Sequence, residues 1–182
     1  MNQPIQMSSL LATPAVGFEQ PFEMLAACHE RVARMLALLA RLREHLPGHG
    51  ADDNARQAAR DVMRYFDLAA PHHHQDEELH VFPPLKAHGD PATVAVVSRL
   101  QRDHLQMESC WREARQVLDA VATGARQAFS AADEGALDRF AGLYDEHIKA
   151  EESLAYPAAA ALLDEPALAA MGQEMMRRRG AT

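Results

Sequence analysis

Beyond residue 17, apolar side chains recur three and four positions apart in long runs, the spacing of one buried helix face. From 18 to 45 the stripe carries Leu25, Val32, Leu36 and Leu39, and His29 falls on it. Pro47-Gly48-His49-Gly50 breaks this first helix. Asp52, Asp53 and Asn54 then offer capping side chains for a second, predicted to reach about residue 86 and to kink or break briefly at Pro71, which removes a backbone donor. His88-Gly89-Asp90-Pro91 closes it and opens a third helix with an Asp cap and a proline in the first turn, running to about 122. Ser130 followed by Asp133 resembles a capping box for a fourth helix ending near Tyr156-Pro157. Asp164 and Pro166 open a short fifth, with Leu168, Met171 and Met175 on one face. Residues 1–17, with Pro4, Pro14 and Gly17 and no sustained period, read as an N-terminal arm, and 18–182 as one domain. The prediction is an all-α fold: an up-down-up-down four-helix bundle with a short fifth C-terminal helix.

Composition agrees with that pattern and narrows the function. Apolar residues make up 48% but aromatics only 5%, and Ala, Leu, Met, Glu, Gln and Arg, good helix formers, dominate. The net charge is -8, and the largest basic cluster is Arg177-Arg178-Arg179, so no broad positive face collects phosphates and nucleic acid is not an expected partner. The first residues lack a basic n-region and no later run is long enough to span a bilayer, so neither export nor membrane anchoring is expected. Cys28 and Cys110 are far apart and outside any CxxC spacing, which suggests neither a disulfide framework nor a thiolate zinc site and fits a cytoplasmic location. What stands out is histidine, ten in all, several beside carboxylates.

The chemistry is located by an internal repeat. His73-His74-Gln75-Asp76-Glu77-Glu78 continues to Phe82-Pro83, and His147-Ile148-Lys149-Ala150-Glu151-Glu152 continues to Tyr156-Pro157. Both read H-x-x-x-E-E-x-x-x-[FY]-P. Each puts a histidine and a glutamate four apart on one helix face, which suits joint binding of a metal ion. The repeat also selects His73 from its neighbours, because His72 and His74 point roughly 100° to either side. His29 precedes His73 by 44 residues and His104 precedes His147 by 43. The midpoints of His29 and His73, of His73 and His104, and of His104 and His147 all fall in or beside predicted turns. An up-down-up-down bundle therefore puts the four histidines at one level, with Glu77 and Glu151 one turn along their helices.

Burying four imidazoles and two carboxylates is costly unless a metal compensates. Nitrogen and oxygen donors suit iron, manganese or zinc better than copper(I). Four His and two Glu are too many for one ion and suitable for two, with bridging carboxylates and two imidazoles for each. Such a core leaves coordination positions open to a small ligand.

This arrangement of H, H-x-x-x-E, H and H-x-x-x-E with both E-E-x-x-x-[FY]-P tails, from about Cys28 to Pro157, resembles the hemerythrin-like (HHE cation-binding) family. The resemblance implies two iron ions in an oxo- or hydroxo-bridged centre, with His29, His73, His104 and His147 as imidazole ligands and Glu77 and Glu151 as bridging carboxylates. Oxygen-carrying hemerythrins have a fifth histidine four residues after the third-helix one; here that position is Glu108. The ligand set is closer to bacterial repair-of-iron-centres proteins, although the cysteine-bearing N-terminal domain typical of those is not expected here.

Around these six, Glu108 reads as a seventh ligand, a pocket acid or a partly exposed residue. Glu78 and Glu152 are rotated off the ligand stripe and are expected to be solvated or to orient an imidazole. Tyr144 and Trp111 are candidate pocket walls. His80 is expected to pack at the bundle end, and Arg177 to Arg179 to sit at a helix C-terminus, where positive charge is favoured. The leading expectation is a di-iron protein that binds or reacts with O2, NO or peroxide, for storage, sensing or detoxification. The alternatives are an iron donor that repairs iron centres of a client protein, and a metal-dependent signalling or binding module. A homodimer through the arm or the fifth helix is a further expectation. No hydrolase motif such as G-x-S-x-G occurs.

Overall fold

Side-chain caps set the starts of the long helices. Asp52 accepts a hydrogen bond from the Ala55 amide at 2.8 Å and opens α2 (Asp53–Asp76). Asp90 accepts from Thr93 at 2.7 Å and opens α4 (Pro91–Ala122), the longest element. Ser130 and Asp133 cap each other at the start of α5 (Ala131–Ala141). Asp164 caps Ala167 at the start of α8 (Glu165–Arg178). The first helix, α1 (Pro21–His49), has a proline at its first position and no side-chain cap. The computed structural model describes residues 17–181, and every regular element among them is helical. The predicted N-terminal arm lies outside the described residues apart from Gly17.

Three expectations need correction. The Pro47 segment does not end α1, which continues to His49. Pro47 gives up one amide bond near the end of α1 without stopping it, and the chain turns only at Gly50, whose φ of 65° suits a residue without Cβ. Pro71 makes no break either, since α2 runs through it to Asp76.

The interruption comes later, in a π-helical turn at Glu77–Val81, before the helix resumes as α3 (Phe82–His88). A second π turn, Glu151–Ala155, separates α6 (Tyr144–Ala150) from α7 (Tyr156–Ala160). In each, the aromatic residue of the repeat bonds back five positions, Phe82 N–H to the Glu77 carbonyl and Tyr156 N–H to the Glu151 carbonyl. The proline that follows explains the widening. In an α-helix its ring would meet the carbonyl four residues back, and one extra residue in the turn relieves that clash. The predicted fourth helix is broken as well. At Gly142-Leu143 the ladder tightens from Gly142 N–H on Asp138 to Leu143 N–H on Phe140, at a glycine that adds no helical preference.

Two apolar clusters hold the helices together with a polar layer between them. One is built from Leu39, Leu42, Val62, Phe66, Leu118 and Phe140 of α1, α2, α4 and α5. The other contains Leu25, Phe82, Leu85, Leu100, Met171 and Met175. Each such side chain, fully buried, contributes about 1.5–3 kcal/mol. Met171 and Met175 make α8 part of this second cluster.

Charge pins α8 in place. Asp76, with no exposed surface, receives Arg178 at 2.9 Å and both terminal nitrogens of Arg179. His80 meets Glu174 at 2.8 Å, and Arg178 also pairs with Glu174. The arginine run therefore does more than face a helix end: two of its members neutralise a buried carboxylate about a hundred residues away in sequence. Among the described residues no helix is long and apolar enough to cross a membrane.

Candidate metal centre

The six predicted side chains meet in the polar layer. His29 comes from α1, His73 from α2, His104 from α4 and His147 from α6; Glu77 and Glu151 are the first residues of the two π turns. The histidines are 3–7% exposed and the glutamates 0%, so water does not solvate them. Nε2 of His29 lies 3.0 Å from Nε2 of His73, and Nε2 of His104 lies 3.2 Å from Nε2 of His147.

Orientation is imposed from behind. Nδ1 of His29 faces Glu152 at 2.9 Å, that of His104 faces Glu78 at 3.1 Å, and that of His147 faces Asp103 at 3.3 Å. A carboxylate at Nδ1 fixes the ring proton there and turns the Nε2 lone pair inward. Lone pairs that face one another at these distances repel, unless a cation or an added proton lies between them.

The carboxylates span both pairs. Glu77 places Oε1 3.3 Å from His73 Nε2 and Oε2 3.4 Å from His104 Nε2. Glu151 places Oε2 3.1 Å from His29 Nε2 and Oε1 2.9 Å from His147 Nε2. Despite these short approaches, Glu77 Oε2 and both oxygens of Glu151 have no hydrogen-bond partner among the described residues, nor has Nδ1 of His73. The imidazole nitrogens stand at ion-pair distance without the angles of a hydrogen bond. Buried acceptors left this way cost about 1–3 kcal/mol each, more when charged, and a cation satisfies them. His29, His73, Glu77 and Glu151 form one group, and His104, His147 and Glu151 a second, each with potential ligand atoms within 4.8 Å of one another. The residues present therefore fit a bound cation.

The electrostatics point the same way. Burial works against charge on Glu151, yet the close imidazoles of His104, His147 and His29 hold its carboxyl well below the usual range. Burial likewise opposes the imidazolium form of His104, but Glu151, Glu77 and Glu78 outweigh it and raise the pKa to about 11. For His29 the same contest, decided by Glu151 and Glu77, also ends upward; in His73 burial wins and the pKa falls. The carboxylate pair draws positive charge into the layer.

Of the other predicted residues, Glu78 and Glu152 orient imidazoles, as described. Tyr144 is buried and Trp111 half-buried; both line a cavity of about 760 Å³ that reaches His74 and His104. Glu108 is exposed on the wall of this cavity and belongs to neither donor group.

Three residues at the site escaped sequence reasoning. Asp103 precedes a candidate ligand and gave no signal. His74 stacks on His104 with centroids 4.1 Å apart, and burial followed by the charge of His104 drives its pKa well down. Tyr156 donates a hydrogen bond to Glu77 Oε1 and lies 3.1 Å from His29 Nε2. Its only signal was the aromatic position of the repeat. Five residues beyond Glu151 on an α-helix it would point roughly 140° away; the π turn swings it onto the site.

The comparisons with known proteins agree with this arrangement. The chain is similar to an uncharacterized protein of Haemophilus influenzae, 33% identical over 162 residues that cover 89% of this chain and 91% of that protein. The sequence pattern of the hemerythrin HHE cation-binding domain matches residues 20–159, which contain both π turns and all six candidate donors. The chain therefore belongs to the hemerythrin HHE cation-binding family.

Proposed function

We propose that the protein holds two iron ions, one at His29 and His73 and one at His104 and His147, bridged by Glu77 and Glu151, and that it binds or reacts with O2, NO or peroxide there. The observation that carries this reading is the placement of the carboxylates, each with one oxygen toward each histidine pair. Imidazole and carboxylate donors suit iron, with manganese or zinc able to take the same positions. When bound, iron supplies reversible electron exchange with such a ligand. The chain does the rest. Glu152, Glu78 and Asp103 hold three rings with Nε2 inward, and the apolar clusters on either side exclude bulk water. The cavity beside His104 gives a small molecule a way in, past Trp111 and Tyr144.

Reconstitution with ferrous iron under anaerobic conditions tests the reading. Two ions per chain are expected, and near-ultraviolet charge-transfer absorption when air is admitted. Binding of at most one ion, or no absorption change in air, overturns it. Metal analysis of protein purified from its own host identifies the resident ion directly.

A further inference from the structure

The two repeat segments build the site almost as a two-fold pair. Glu78 sits on Nδ1 of His104 and Phe82 stacks on that ring at 5.6 Å; Glu152 sits on Nδ1 of His29 and Tyr156 stacks on that ring at 5.5 Å. Each segment therefore serves an imidazole on a neighbouring helix through the same two positions. The pairing fails at the Tyr156 hydroxyl. It donates to Glu77 Oε1, whereas Phe82 has no hydroxyl to offer, and both oxygens of Glu151 lack a donor. A second break lies on the same side: Asp103 faces Nδ1 of His147, but its counterpart before His29 is Cys28, and Nδ1 of His73 has no partner.

We propose that Tyr156 is a positioning residue that makes the two metal positions inequivalent, by anchoring Glu77 through the oxygen that faces His73. The inference rests on the two-ion reading above. With Nε2 of His29 turned to an ion, Glu77 is the acceptor left for the phenol proton. A hydrogen bond to a carboxylate oxygen draws charge from it and fixes its direction. The position at His29 and His73 thus has a restrained, weakened oxygen donor from Glu77. The position at His104 and His147 receives Glu77 Oε2 and Glu151 Oε1, neither of which shares its charge with a donor. The same position borders the cavity, through His104. The asymmetry at Glu77 is therefore written into one atom, the hydroxyl that separates Tyr156 from Phe82.

The test compares wild type with Tyr156→Phe, which keeps the ring and its stacking on His29, in the diferrous protein prepared without oxygen. Metal analysis comes first; fewer than two ions per wild-type chain defeats the two-ion reading itself. With two ions bound, Mössbauer spectra of the wild type are expected to show two doublets of equal area. In Tyr156→Phe one doublet moves and the other stays. Release of one ion per chain to a ferrous chelator changes by about 10- to 100-fold, while release of the other is unaltered. A wild type with one doublet, or a variant with both doublets and both release phases unchanged, overturns the proposal and leaves the two-ion reading standing. A variant in which both doublets move alike overturns it too. Thermal unfolding of the variant, expected to match wild type, separates the effect from a loss of packing.

Discussion

Replacing Asp76 by Ala tests how α8 is held. The carboxylate has no exposed surface and receives three nitrogens, one from Arg178 and two from Arg179. Removing one partner of a buried ion pair costs about 3–5 kcal/mol, because the remaining charge is left without compensation. Here the arginines are 13% and 17% exposed, and Arg178 keeps Glu174, so part of that cost is relieved by turning toward water. About 3 kcal/mol is expected. For a domain of this size, a loss of that order lowers the melting temperature by about 6–12 °C. Urea denaturation followed by far-ultraviolet circular dichroism gives the free energy, and the slope of the transition reports whether α8 has detached beforehand, exposing Met171 and Met175. Arg178→Ala alone should cost less, since Arg179 holds both oxygens of Asp76. A loss below about 1 kcal/mol for Asp76→Ala would refute the argument, showing that the buried pair is worth no more than a surface one.

The remaining predictions concern pH, the core and the support of the imidazoles. The Arg178 hydrogen bond, against the opposing effect of burial and with help from His80, lowers the Glu174 pKa to about 2 from the ordinary 4.5. A depressed carboxylate pKa stabilises the fold above the unfolded value, and that contribution is lost as pH falls through the folded one. Glu174→Gln should therefore destabilise by about 1 kcal/mol at pH 6, after allowance for solvent screening, and the gap to wild type should close between pH 4.5 and 2 in urea melts; a gap that does not narrow rules the ion pair out as its cause. Phe140→Ala, at a fully buried ring packed on Phe66 at 4.9 Å, should cost about 3–5 kcal/mol by chemical denaturation. Glu152→Gln should weaken iron binding by about 10- to 100-fold in a chelator competition while leaving the unfolding midpoint of the metal-free protein nearly unchanged, because Glu152 is 47% exposed; equal losses in both assays would make its role structural.

What was legible in the sequence is what depends on local period. The four histidines and two glutamates could be placed on faces because helical spacing holds over several turns, and the midpoints between histidines located the turns that let them meet. Caps at Asp52, Asp90, Ser130 and Asp164 were equally visible, each being a side chain that acts within three residues. What stayed hidden depends on a change of period or on distant partners. Pro71 and Pro83 look alike in sequence. The helix passes through the first without a break and widens ahead of the second. Once the turn widens, every angle counted onward from Glu77 or Glu151 is wrong, so α-helical spacing gives no sign that Tyr156 reaches the site. Asp76 and its arginines are about a hundred residues apart and share no pattern.

The two π turns make the prolines that follow them as consequential as the donors. Each adds one residue to a helical turn directly after a candidate bridging carboxylate. If the proline after Phe82 were replaced and the same five residues wound as an α-helix, the following residues would turn by roughly 100°. The aromatic ring on His104, and the Leu85 side chain in the core beyond it, would then face elsewhere. A homologue could thus retain all six donor residues and still lose the ring that backs His104 through one substitution outside the donor set. The proline after the aromatic position is therefore as informative as the donors when deciding which relatives can hold the same site.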